Sequence, residues 1–263
     1  MQKKFRNLHP HLLDNKNQES WGDAQSKYNI KHYKNYYKSL KDNSSKIDMV
    51  RHFPLFINRQ DLIYHLSKYD LYKKTIDIKG SIVECGCHKG SGLLLFSKLT
   101  SIFEPYDIFK KVIGFDTFEG FPKNNSKKDN RTYSNLKEGH LKDTDLKMIH
   151  DQISLFDENR FNSHIPKVEI VKGNALKTIP KFIKQNQHLL ISLLYLDFDL
   201  YDATKIAIEN FLPRMPKGAI IAFDQVNQKR WQGETLAMLK LFNLNKHKLI
   251  KLPHEPNIAY IQL

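Results

Sequence analysis

The chain has 263 residues, enough for one large α/β domain or for one domain with an appendage. Hydrophobic residues make up 40% and charged residues 27%, which excludes an intrinsically disordered chain. The formal net charge of +14 raises nucleic acid as a partner. However, residues 1–79 hold 16 Lys/Arg against 8 Asp/Glu, and the rest of the chain 26 against 20, so the excess sits mostly in a Lys-, Asn- and Tyr-rich leader and argues against that role.

Residues 1–55 read as a basic extension, polar and weakly periodic, and residues 56–263 as the folded domain. The N-terminal stretch lacks the apolar core of a signal peptide, and the longest apolar run, Leu189–Leu196, is too short to cross a bilayer. Cys85 and Cys87 alone cannot build a disulfide framework, so they read as small packing residues in a cytoplasmic protein. No membrane partner is expected, and a homo-oligomer is compatible with everything above.

From Phe56 the spacing of Ile57, Leu62, Ile63, Leu66 and Tyr69 predicts a helix over 56–75. Strands and helices then alternate. Ser81–Cys85 is a strand and Ser91–Thr100 a helix. Val112–Phe115 is the second strand, followed by a polar loop over 122–140. Leu146, Ile149, Ile153 and Phe156 space a helix. Val168–Val171 is the third strand, Leu176–Lys184 a helix and Ile191–Leu196 the fourth strand. Ala203–Leu212 is a helix stopped by Pro213, Ala219–Phe223 the fifth strand and Glu234–Phe242 a helix. The last seventeen residues read as two strands around a Pro-containing turn. This order predicts an α/β fold with a mostly parallel sheet, helices on both faces and a C-terminal antiparallel hairpin.

The first strand runs into Glu84-Cys85-Gly86-Cys87-His88-Lys89-Gly90-Ser91-Gly92. Glycines at such a turn let the backbone approach a ligand, or simply make the bend. The spacing departs from the G-x-G-x-x-G of dinucleotide sites, and Glu84 would repel a pyrophosphate but could face an ammonium. S-adenosylmethionine (SAM) therefore fits better than NAD. The second strand ends in Asp116, placed to accept from ribose hydroxyls or to cap a turn. Asn174, after the third strand, could reach an adenine edge.

The fourth strand runs straight into Asp197-Phe198-Asp199, and the fifth into Asp224-Gln225. Residues two apart on an extended chain point the same way, so Asp197 and Asp199 can share a site. If the two strands are neighbours, Asp197, Asp199, Asp224 and Gln225 converge beside the Gly-rich turn. Clustered oxygen donors suit a hard cation such as Mg²⁺; independent helix caps are the plainer alternative.

These segments resemble the macrocin O-methyltransferase (TylF-like) family, within it the dTDP-6-deoxy-L-hexose 3-O-methyltransferases. The matching stretches are GSIVECGCHKGSG, VIGFDTFEGFP, KGNALKTIP, LYLDFDLYDAT, GAIIAFDQVN and WQGET. The resemblance implies a Rossmann-like class I methyltransferase with a seven-stranded sheet, acting on a hydroxyl of a sugar or nucleotide sugar with SAM and Mg²⁺. It puts the SAM positions on Glu84, Gly86, Gly90 and Asp116, with Phe118 and Glu119 in the matching loop. It puts the metal ligands on Asp197, Asp224 and Gln225, the last where the family commonly has Asp, and the general base on Asp199. The loop 122–140, with Arg131, Tyr133 and His140, is a candidate cover for the acceptor, and Trp231 a candidate sugar platform. A phenol-directed methyltransferase, an NAD-dependent nucleotide-sugar enzyme and a non-enzymatic binding module are the rival readings.

Overall fold

A computed structural model describes residues 46–123, 126–129 and 137–263. Most of the basic extension, together with Arg131 and Tyr133, lies outside the described residues. The chain divides into two units, residues 1–62 and 63–263.

In the first unit, α1 (Lys46–Arg51) and α2 (Phe53–Phe56) are short. The helix expected over 56–75 is α3, Arg59–Lys73, and its later start has a local cause. Ile57 is extended, and the Asn58 side chain caps the new helix by accepting from the amide of Asp61 at 2.8 Å.

The second unit holds the rest of α3, then β1 (Ser81–Cys85), α4 (Ser91–Phe103), β2 (Val112–Asp116), α5 (Leu146–Glu158), β3 (Val168–Lys172) and α6 (Ala175–Gln185). It continues with β4 (Ile191–Leu196), α7 (Tyr201–Phe211), β5 (Ile220–Phe223), α8 (Gln232–Leu241), β6 (Ile250–Lys251) and β7 (Ala259–Gln262). Past α7 the chain makes one 3₁₀ turn, Leu212–Arg214, through Pro213.

The strands form one seven-stranded sheet in the order β3-β2-β1-β4-β5-β7-β6. The first five are parallel, and β7 runs antiparallel to both β5 and β6. Every residue of β1, β4 and β5 is buried, as expected of central parallel strands with helices on both faces. Alternation divides the core. Val83, Cys85, Leu194 and Leu196 pack with residues of α6, α7 and α8. Ile82, Leu193 and Tyr195 pack on the other face with Leu71 and Tyr72 of α3 and Phe96 of α4. Among the described residues, no helix is long and apolar enough to cross a membrane.

Register positions the site. Cys85 pairs with Leu196, and Leu196 with Phe223, so β1, β4 and β5 end level. The next residues on those strands are Gly86, Asp197 and Asp224. The ladder continues by one bond across each junction, from the Asp197 amide to the Cys85 carbonyl at 2.8 Å and from the Asp224 amide to the Leu196 carbonyl at 2.9 Å.

Candidate active site

An open cleft lies at the carboxyl ends of the strands, where ligands collect in α/β sheets of this kind. Gly86, Asp116, Asn174, Asp197 and Asp199 line it, and Phe121 forms part of its wall. Five of the residues singled out in the sequence therefore meet in one place.

On the cofactor side, Asp116 ties two turns together. One oxygen accepts from the His88 amide at 2.8 Å and the other from the Phe118 amide at 2.6 Å, so the turn-cap reading is correct as far as it goes. A carboxylate has about four acceptor positions, which leaves capacity for ribose hydroxyls. Asn174 caps α6, its side-chain oxygen accepting from the Leu176 amide, so its amide nitrogen is not used by the cap. Phe118 is buried against Cys87 and Ile149 behind the turn. Glu119 points outward and pairs with Lys172 at 2.9 Å. Both cysteines are buried and outside any disulfide, and the Cys87 thiol donates to the Glu84 carbonyl at 3.5 Å.

The glycines answer to neighbours in the protein. Gly86 has φ +88°, and a methyl there would lie 1.9 Å from the carbonyl oxygen of Asp197. Gly90, at φ +77°, faces the side chain of Ile149 at 3.2 Å. A methyl on Gly92 would lie 1.9 Å from Oε1 of Glu84. Close approach is thus demanded by a strand end, a helix and a side chain before any ligand arrives.

Glu84 is buried, and Oε1 accepts from Nζ of the equally buried Lys68 at 2.7 Å. Among the described residues its second oxygen, Oε2, has no partner. Burial pushes the Glu84 carboxyl up, and Lys68 opposes that shift. The Lys68 ammonium also lies 3.3 Å from the centre of the Tyr195 ring, a cation–π contact. The Tyr195 hydroxyl in turn donates to Asp224 Oδ1 at 2.5 Å.

The acidic cluster forms as the strand ends require. Burial, then the charges of Asp224 and Asp199, push the Asp197 carboxyl well above the usual range. Asp199 is pushed up to about 8 by burial and by Asp224, with Arg230 opposing. Its backbone is left-handed, φ +61°, and its Oδ1 is buried without a partner among the described residues. The same holds for the side-chain oxygen of Gln225. Among the described residues, no three His, Cys, Asp or Glu side chains are grouped to hold a metal ion.

Trp231 is buried with Phe121 and Leu200, which line the cleft, but does not line it itself, and His140 is half-buried beside Phe121. Sequence reasoning gave no role to Lys68, Tyr195 or Glu234. Lys68 had one signal, a charge four residues from Tyr64 and from Tyr72 on the same helix stripe, which requires a buried partner. Glu234 is fully buried, and burial with the Asp199 and Asp224 charges pushes its carboxyl up.

The comparisons agree with this geometry. The structure of CalS11, a calicheamicin methyltransferase, superposes with TM-score 0.83 at 29% identity, covering 89% of this chain and 92% of that one. An apo structure of CalS11, described as a TDP-rhamnose 3'-O-methyltransferase of calicheamicin biosynthesis, gives 0.76 at 28%, covering 89% and 94%. The O-methyltransferase NovP gives 0.59 at 17%, covering 76% and 78%, a likeness of fold. None of the curated protein sequences compared with the chain matches it significantly. The sheet order and the cleft at its carboxyl edge are those of the Rossmann-like class I methyltransferase fold. The sequence model of the TylF family, macrocin O-methyltransferase, matches residues 65–248. The chain belongs to that family.

Proposed function

We propose that the protein transfers a methyl group from SAM to a hydroxyl of a sugar, carried as a nucleotide-linked deoxyhexose or related glycan precursor. The observation that carries this reading is the meeting of Asp197, Asp199 and Asp224 at level strand ends beside the Gly86 turn. The 28–29% identity to a TDP-rhamnose 3'-O-methyltransferase supports the choice of acceptor. We assign catalysis to residues 56–263, in a cytoplasmic protein.

SAM, when bound, supplies a methyl group activated as a sulfonium. Oε2 of Glu84 would accept from its ammonium, and Asp116 from its ribose hydroxyls. The Asn174 amide nitrogen would donate to the adenine, and Gly86 and Gly90 shape the turn between them. Phe118 and Glu119 hold the second turn, one packed behind it and the other on its rim.

Asp199 is the general base. As the new O–CH₃ bond forms and the S–CH₃ bond breaks, its carboxylate takes the hydroxyl proton. The residues fit a hard cation: Asp197 and Asp224 repel one another, and the Gln225 oxygen is buried without a partner among the described residues. Asp197, Asp224 and Gln225 would hold Mg²⁺, which when bound polarises and orients a sugar hydroxyl. Mass spectrometry of nucleotide sugars incubated with the protein, SAM and Mg²⁺ tests the reading. A gain of one CH₂ on the sugar is expected; no product across a panel of nucleotide sugars, with methylation of a catechol instead, overturns it.

A further inference from the structure

We infer that Glu234 is a positioning residue for the general base, a role that rests on the assignment of the base to Asp199. Glu234 lies in the first turn of α8, fully buried. Its two oxygens serve two different strand ends. Oε1 accepts from the backbone amide of Asp199 at 3.2 Å, and Oε2 from that of Gln225 at 3.3 Å. One carboxylate therefore clamps the turn after β4 to the turn after β5.

The turn needs such a clamp. Asp199 is held at φ +61°, a left-handed conformation that strains a residue bearing a side chain. Of its own side chain, Oδ1 has no partner among the described residues. The helix that follows gets no cap from its own N-cap residue, Leu200. Approach of α8 is close enough that a methyl on Gly233 would lie 2.6 Å from both the Asp199 carbonyl oxygen and the Tyr201 amide. Glu234 thus holds the backbone of Asp199 while its side chain stays available to the substrate.

A double-mutant cycle tests this. Glu234→Gln keeps the size but replaces one acceptor oxygen with a donor, so one of the two amides loses its partner. A displaced base should lower kcat about 10²-fold, with SAM affinity by calorimetry unchanged. In an Asp199→Asn background the same change should cost nothing more, because no base is left to misplace. Glu234→Asp, which keeps both oxygens but draws them back, serves in the same cycle if Glu234→Gln does not fold. Wild-type kcat in the Glu234 variants beside an inactive Asp199→Asn overturns the positioning role alone, and so do losses that add in the double variant. Near wild-type kcat in Asp199→Asn overturns the base assignment, and the role of Glu234 with it.

Discussion

Lys68 and Glu84 form an ion pair of 2.7 Å in which neither side chain is more than 1% exposed. Removing one partner strands a charge in the core, which typically costs 3–5 kcal/mol, whereas removing both is often nearly neutral. Lys68→Met should therefore lower Tm sharply, and Lys68→Met with Glu84→Gln should recover most of the loss. Thermal unfolding of the three variants checks this. A double variant no more stable than Lys68→Met would show that the lysine acts through Tyr195 instead.

Gly86→Ala should cost stability and SAM affinity together. Its methyl falls on the Asp197 carbonyl at 1.9 Å and the backbone is at φ +88°, so the end of β4 has to move. Gly90→Ala meets only side-chain atoms of Ile149, at 3.2–3.3 Å, and should do less harm. Unfolding curves and SAM titrations measured side by side separate the two. Equal damage from both would mean that the positive φ the two positions share, rather than the neighbouring atoms, sets the requirement.

Chelation should stop turnover, and Mg²⁺ should restore it. Asp224→Asn should weaken Mg²⁺ binding, read by calorimetry without substrate. Gln225→Glu should strengthen it, because it returns an anionic ligand. Full turnover after exhaustive chelation would mark an enzyme that works on Asp199 alone.

Lys167 gives a stability signature at high pH. It is buried, its Nζ donates to the Asp107 carbonyl at 2.6 Å, and burial lowers its pKa to about 8. In the unfolded chain a lysine titrates near 10.4. Between those values the unfolded state binds more protons, so this group adds stability as pH rises from about 8 to about 10. Denaturant midpoints across that window should climb more steeply in the wild type than in Lys167→Met. Parallel curves would place the lysine in contact with water.

Strands were legible because central parallel strands are continuous apolar runs. Ser81–Cys85 and Ile191–Leu196 begin and end where the sequence predicts. The level strand ends followed from the acidic residues after β4 and β5. What stayed hidden depends on distant partners. The α7 helix starts at Tyr201, two residues before the predicted Ala203. Its first amide is accepted by Asp129, 72 positions away, and no local pattern carries that. Lys68 and Glu234 were hidden for the same reason: a charge on a helix reads as solvated until the fold supplies its partner.

The glycine-rich turn has a consequence for anyone who would transplant it. Its residues fit three separate surroundings: a strand terminus at Gly86, an isoleucine at Gly90 and an ion pair at Gly92. A loop graft into a foreign scaffold would have to bring Asp197, Ile149 and Lys68 along, from three other elements of the chain. The transferable module is a layer of the protein, and a peptide of nine residues is only its visible edge.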